Sequence, residues 1–95
     1  MNSTAFDPGI RFARAPDALA TEVDGEILLL SVDKGRYFSL TGVAASVWER
    51  LARPATLDEL ADEVARRYEV GSDTCRQDVD DFVQQLLQAG LAVRA

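Results

Sequence analysis

The chain has 95 residues, of which 10 are basic and 16 acidic, for a net charge of −6 at neutral pH. That balance argues against nucleic acid and anionic lipid as partners, because a phosphate-rich surface rewards cations. There are no histidines, which removes the commonest general base and the commonest metal ligand together. The length suits one domain with a modest core, and the 47% apolar content is ordinary for a globular chain. No run approaches the ~18 apolar residues of a membrane span. The opening MNSTAFDPGIRF lacks a charged-then-apolar signal pattern, so a cytoplasmic protein is expected.

Residues 1–17 contain two prolines, a glycine and small polar residues. They are read as a flexible or loosely attached N-terminal arm, with the folded domain over residues 18–95. Ile10 and Phe12 share one face of an extended segment, which allows a brief strand there. From Leu19 to Leu40 the period is two. Leu19, Thr21 and Val23 face one way; Asp24-Gly25 follows as the strongest short hairpin signal, because both residues tolerate positive φ. Glu26–Val32 comes next and is apolar at Ile27, Leu28, Leu29, Leu30 and Val32. A strand without a clear polar face is covered on both sides or central in its sheet. Gly35 suits a second hairpin loop, and Arg36–Leu40 completes a three-stranded antiparallel meander.

After Leu40 the period becomes helical. Thr41 is a natural N-cap for a helix with Val43, Val47, Trp48 and Leu51 along one stripe, ended by Pro54. Thr56 and Glu59 form a capping box, followed by Leu57, Leu60, Ala61, Val64, Ala65 and Tyr68 at helical spacing. Gly71 breaks the chain. Ser72 or Asp73 then caps a last helix carrying Cys75, Val79, Phe82, Val83, Leu86 and Leu87, and Gly90 stands where a C′ glycine belongs. Leu91-Ala92-Val93 is expected to fold back on the core. The fold class is α+β, a meander followed by three helices packed on one sheet face.

Chemistry-bearing residues are few. Cys75 lies in a first helical turn, where the dipole favours thiolate, but no histidine exists to serve as its base. A half-buried packing cysteine is the plainer reading, and catalysis is discarded. Consecutive helical positions point about 100° apart, so Asp78, Asp80 and Asp81 do not converge on one ion without other ligands and describe a solvated face rather than a metal site. No cofactor is expected. Three helices beside a small sheet also suggest a winged-helix DNA-binding protein. Its groove-entering helix would carry Arg76 against Asp73, Asp78, Asp80 and Asp81, a balance the phosphates repel. An acyl carrier needs a helix-initiating serine in an Asp-Ser-Leu context, and none of the serines has it.

What remains is the open edge of strand Arg36–Leu40, guarded only by Arg36. Unpaired N–H and C=O groups template another strand, and an extended peptide added there gains affinity from the main chain and specificity from side-chain pockets. By pattern alone, the N-terminal arm or a second copy would cover that edge equally well.

Several stretches resemble the PqqD-like family: Val23-Asp24-Gly25-Glu26, Leu28-Leu29-Leu30, Gly35-Arg36-Tyr37-Phe38-Ser39-Leu40 and Thr41-Gly42 leading to Val47-Trp48-Glu49-Arg50-Leu51. Leu57 through Leu60, Asp78-Val79-Asp80-Asp81-Phe82 and Gly90-Leu91 continue the match in order. The resemblance spans about residues 17–93. Family members more often have asparagine where Thr41 stands, and both residues cap helices well. The resemblance implies a winged-helix-like fold and a non-catalytic role as a RiPP recognition element. Such domains hold the leader segment of a ribosomally made precursor peptide for a modifying enzyme. It further implies that the leader docks as an added antiparallel strand on Arg36, Tyr37, Phe38, Ser39 and Leu40. The last helix would supply the other wall through Asp78, Phe82, Val83 and Leu86, with Arg36 available to an acidic leader residue and Asp78 or Asp81 to a basic one. The stretch Ser31–Tyr37 looks more like the stand-alone recognition proteins of lasso-peptide clusters, whose partner is a cysteine-protease-like leader peptidase. The alternative is a PqqD-type chaperone for a radical-SAM enzyme.

Overall fold

The computed structural model describes residues 9–69 and 71–95. Its elements run β1 (Arg11–Arg14), β2 (Ala18–Val23), β3 (Glu26–Ser31), β4 (Arg36–Leu40), α1 (Gly42–Arg50), β5 (Ala55–Thr56), α2 (Leu57–Tyr68), α3 (Ser72–Gln88) and β6 (Ala92–Arg94). The expected meander is present as the antiparallel sheet β2-β3-β4. Asp24 and Gly25 both take positive φ, 53° and 82°, the signature of a type I′ turn, whose twist matches the flanking strands.

A second sheet, ordered β5-β1-β6, corrects the reading of residues 1–17 as a loose arm. Phe12 pairs with Ala55 on one side and Arg94 on the other, and its ring has no exposed surface. Burying a phenylalanine is worth about 1.5–3 kcal/mol, which adds to the ladder bonds with β5 and β6 in holding so short a strand in place. Residues 1–8 of the expected arm lie outside the described residues. The boundary at residue 18 therefore falls within the folded part.

Arg14, on the same strand, locks β1 to α1. Its guanidinium donates to the Trp48 carbonyl through Nε at 3.0 Å and Nη2 at 2.7 Å and sits 4.7 Å from the centre of the Trp48 ring. It thereby satisfies a carbonyl near the end of α1. Burial lowers the Arg14 pKa, and the charge of Glu49 works against that.

The helices cover the inner face of the meander, where Ile27, Leu29, Ser31 and Leu40 are buried. Val47, Trp48 and Leu51 of α1, Leu60 and Val64 of α2, and Cys75, Val79, Val83 and Leu86 of α3 join them in one core. The capping box forms as expected, with Glu59 N–H donating to Thr56 Oγ1 and Thr56 N–H to Glu59 Oε1. At α1, Thr41 adopts the extended N-cap conformation but its side chain caps nothing. The cap of α3 falls one residue before Ser72 and two before Asp73, with Gly71 in the N-cap place. At its other end Leu91 N–H bonds Leu86 C=O and Gly90 N–H bonds Leu87 C=O. That is a Schellman ending, with Gly90 at φ 75°. It turns the chain back so that Leu91 is buried and β6 pairs with β1.

Candidate functional site

Backbone polarity on β4 follows from the first hairpin. Residues flanking a two-residue type I′ turn form a hydrogen-bonded pair, and bonded and non-bonded pairs then alternate along the ladder. Val23 faces Glu26, so Thr21–Leu28 and Leu19–Leu30 are also bonded pairs. Ile27, Leu29 and Ser31 therefore turn their amides the other way, toward Leu40, Phe38 and Arg36. By the same alternation Tyr37 and Ser39 direct N–H and C=O away from β3, into the open edge. The register agrees with Ala18 on β2, whose outward N–H is taken by Ala15 C=O at 3.1 Å.

Side chains on β4 alternate as well. Leu40 is buried and Phe38 half-buried on the helix side, whereas Tyr37 and Ser39 stand exposed on the outer face. Arg36 is exposed at the start of the strand, its guanidinium 5.5 Å from the centre of the Phe38 ring.

Two contacts fix α3 beside this edge. A Cβ placed on Gly90 would come within 3.4 Å of Lys34 Cε and Ser31 Oγ, so the end of α3 lies by the β3–β4 turn, where β4 begins. The middle of α3, at Asp78, Val79 and Phe82, faces Val43, Ala44 and Val47 of α1 across a recess of about 240 Å³; α1 starts just past Leu40, where β4 ends. The helix thus runs beside β4 in the opposite sense.

The structure brings Arg36–Ser39, Asp78 and Phe82 to this region of the surface, with the Leu40 side chain buried beneath it. It does not bring Val83 and Leu86 there. Both have no exposed surface, and they hold α3 against the core rather than line an open wall. The period-3.6 stripe of α3 was wide enough to contain a core face and a flank, and only packing separates them: Phe82 and Leu87 are the half-buried flank. Val43, Ala44 and Val79 line the recess without having been assigned to a site. The one signal available was that Val43 opened a stripe whose other members are fully buried.

Electrostatics sort the aspartates. Asp80 accepts from Gln84 and Asp81 from Gln77, each at 3.0 Å, and Arg76 pairs with Asp58 of α2. Asp81 is thereby engaged along the helix surface. No group of three or more metal-ligating side chains assembles among the described residues, and Cys75 is buried in the core. No helix among the described residues is long and apolar enough to cross a membrane.

Among the described residues, none covers the outer face of the meander. Leu19, Leu28, Leu30 and Tyr37 remain exposed there and border a depression of about 430 Å³. The strand expected to be either covered on both sides or central is central, with one face open.

An open strand edge flanked by a helix, in an α+β domain, is a geometry to which an extended peptide can add as a further strand. The chain belongs to the PqqD family, described as coenzyme PQQ synthesis protein D, whose profile matches residues 26–92. Among solved structures, TbiB1 in complex with the TbiA(beta) leader peptide is similar with a TM-score of 0.76 at 26% identity, covering 84% of this chain and 93% of that one. A lasso peptide synthetase B1 complexed with its leader peptide gives 0.75 at 26% identity, covering 86% and 96%. The PqqD truncation of Methylobacterium extorquens PqqCD, a stand-alone RiPP recognition element, gives 0.76 at 18% identity, covering 96% and 97%. At that identity the likeness is one of fold. Comparison with curated protein sequences finds no match.

Proposed function

We propose that the protein is a non-catalytic RiPP recognition element that binds the leader of a precursor peptide as an added strand on β4. The observation that carries this reading is the pair of outward-facing N–H and C=O groups at Tyr37 and Ser39, beside the helix α3. Main-chain pairing there supplies affinity, and the flank of α3 supplies side-chain selection. Membership of the PqqD family and likeness to two leader-bound proteins, one of them a lasso peptide synthetase B1, support it. The lasso-peptide setting is favoured because one of those leader-bound proteins is a lasso peptide synthetase B1. A cysteine-protease-like leader peptidase is then the enzyme that receives the leader, in the cytoplasm where precursors are made. A radical-SAM enzyme is the other candidate.

Such an enzyme needs a surface the leader leaves free. The exposed Leu19, Leu28, Leu30 and Tyr37 provide one, and a leader strand on β4 would extend that same sheet, so the enzyme would meet protein and leader together.

The test is amide shift mapping with the leader encoded beside this gene. Shifts concentrated at Arg36–Leu40 and along α3 are expected; shifts confined to α1 and α2 would sink the reading.

A further inference from the structure

The recess between α1 and α3 has an apolar lining from Val43, Ala44, Val47, Val79 and Phe82, with a single charged residue, Asp78. Asp78 is exposed. The neighbouring carboxylates are already engaged, Asp80 by Gln84, Asp81 by Gln77 and Asp58 by Arg76. An apolar cleft with one open carboxylate at its lip matches a side chain with an aliphatic stem and a cationic tip, since long basic residues bury their methylenes and keep the charge at the rim.

We propose that Asp78 makes this recess a selectivity subsite for a lysine or arginine of the leader, a reading that rests on leader docking at β4. The polarity of docking places that residue. An antiparallel leader runs opposite to β4, so its N-terminal part lies toward Leu40 and α1, and its C-terminal part leaves past Arg36. Residues directly opposite each other in an antiparallel pair share a face, so leader side chains opposite Phe38 and Leu40 point to the helix side. The one opposite or just beyond Leu40 is nearest the recess. The basic anchor therefore lies at the N-terminal end of the pairing segment, while Arg36 at the far end favours an acidic residue. Leader direction would be read by opposite charges at the two ends of the strand.

The experiment selects a display library of short random peptides against the wild-type protein and retains binders that shift the Tyr37 and Ser39 amides. Lysine or arginine is expected at one fixed position, N-terminal to the pairing segment. Asp78→Lys is expected to select aspartate or glutamate at that position. Asp78→Asn should weaken a selected lysine peptide about two- to fivefold, and the same peptide with norleucine in place of lysine should be indifferent to the substitution. Because Asp78 is exposed, these variants leave the core intact. Edge-binding peptides with no basic preference, or a preference unchanged by Asp78→Lys, would overturn the subsite while leaving edge docking standing. Binders that shift α1 and α2 alone would overturn both the subsite and the edge.

Discussion

The meander has two unpaired edges, β2 and β4, and only one has the makings of a site. Both offer outward backbone groups: Ala18, Ala20 and Glu22 on β2, Tyr37 and Ser39 on β4. On β2 one of those donors is already spent on Ala15, and the recess beside it, about 190 Å³ in volume, is bordered by Arg14, Glu22 and Glu49. Arg14 there is committed to the end of α1. On β4 the donors have no such local bond among the described residues, and the adjacent recess is apolar apart from Asp78. Open hydrogen bonds make an edge sticky; an apolar, helix-walled cleft alongside is what makes it selective.

The comparison can be tested at several depths. The largest effect is expected where α3 is held in place. Leu86→Ala should cost about 2–5 kcal/mol of stability in urea unfolding, because Leu86 is fully buried; a near-neutral result would return it to the groove wall. Next comes the strand itself. Ser39→Pro should lower leader affinity at least tenfold while circular dichroism stays native, because proline removes an outward N–H and spares the bonds to β3. Ala20→Pro, the matching change on β2, should leave leader affinity unchanged by titration. Equal losses from the two would erase the distinction between the edges. Phe38→Pro should instead destabilise the sheet, since its N–H faces β3.

A smaller effect is expected on the outer face. Tyr37→Ala should shift stability by no more than about 0.5 kcal/mol, given a side chain that is 79% exposed, and should weaken capture of the leader peptidase in a pull-down more than it weakens the leader. The smallest concerns the start of α2, which carries the Asp58 partner of Arg76 on α3. The Thr56 backbone N–H holds the Glu59 carboxyl below the usual carboxylate range. A depressed folded pKa means that this contribution is present above the unfolded value and fades as pH falls through the folded one. Glu59→Gln keeps a side-chain acceptor and should flatten that acidic stretch of the stability profile, without altering leader affinity.

Local signals carried much of the fold. The Asp24-Gly25 turn, the capping box at Thr56 and Glu59, and Gly90 as a helix terminator each depend on residues within a few positions of one another, so the meander and the helices were legible from sequence. The second sheet was not. Its strands are four, two and three residues long, and Phe12 meets Ala55 and Arg94 from far along the chain, so no local period announces them. The same holds within the site. Alternation along Arg36–Leu40 was readable, and with the turn type it even orients the Ser39 amide. Whether Val83 or Phe82 faced the groove was not readable, because both sit on one apolar stripe.

By itself, then, the sequence determined the meander and the three helices, their order, the lack of histidine and a strand edge guarded only by Arg36, all of which follow from residue type and spacing. Tertiary structure decided which of two edges stands beside an apolar cleft and which carboxylate remains open there. Those outcomes depend on how α1 and α3 pack across the inner face of β4, and packing is settled by the shapes of side chains that are distant in sequence and meet only once the core closes.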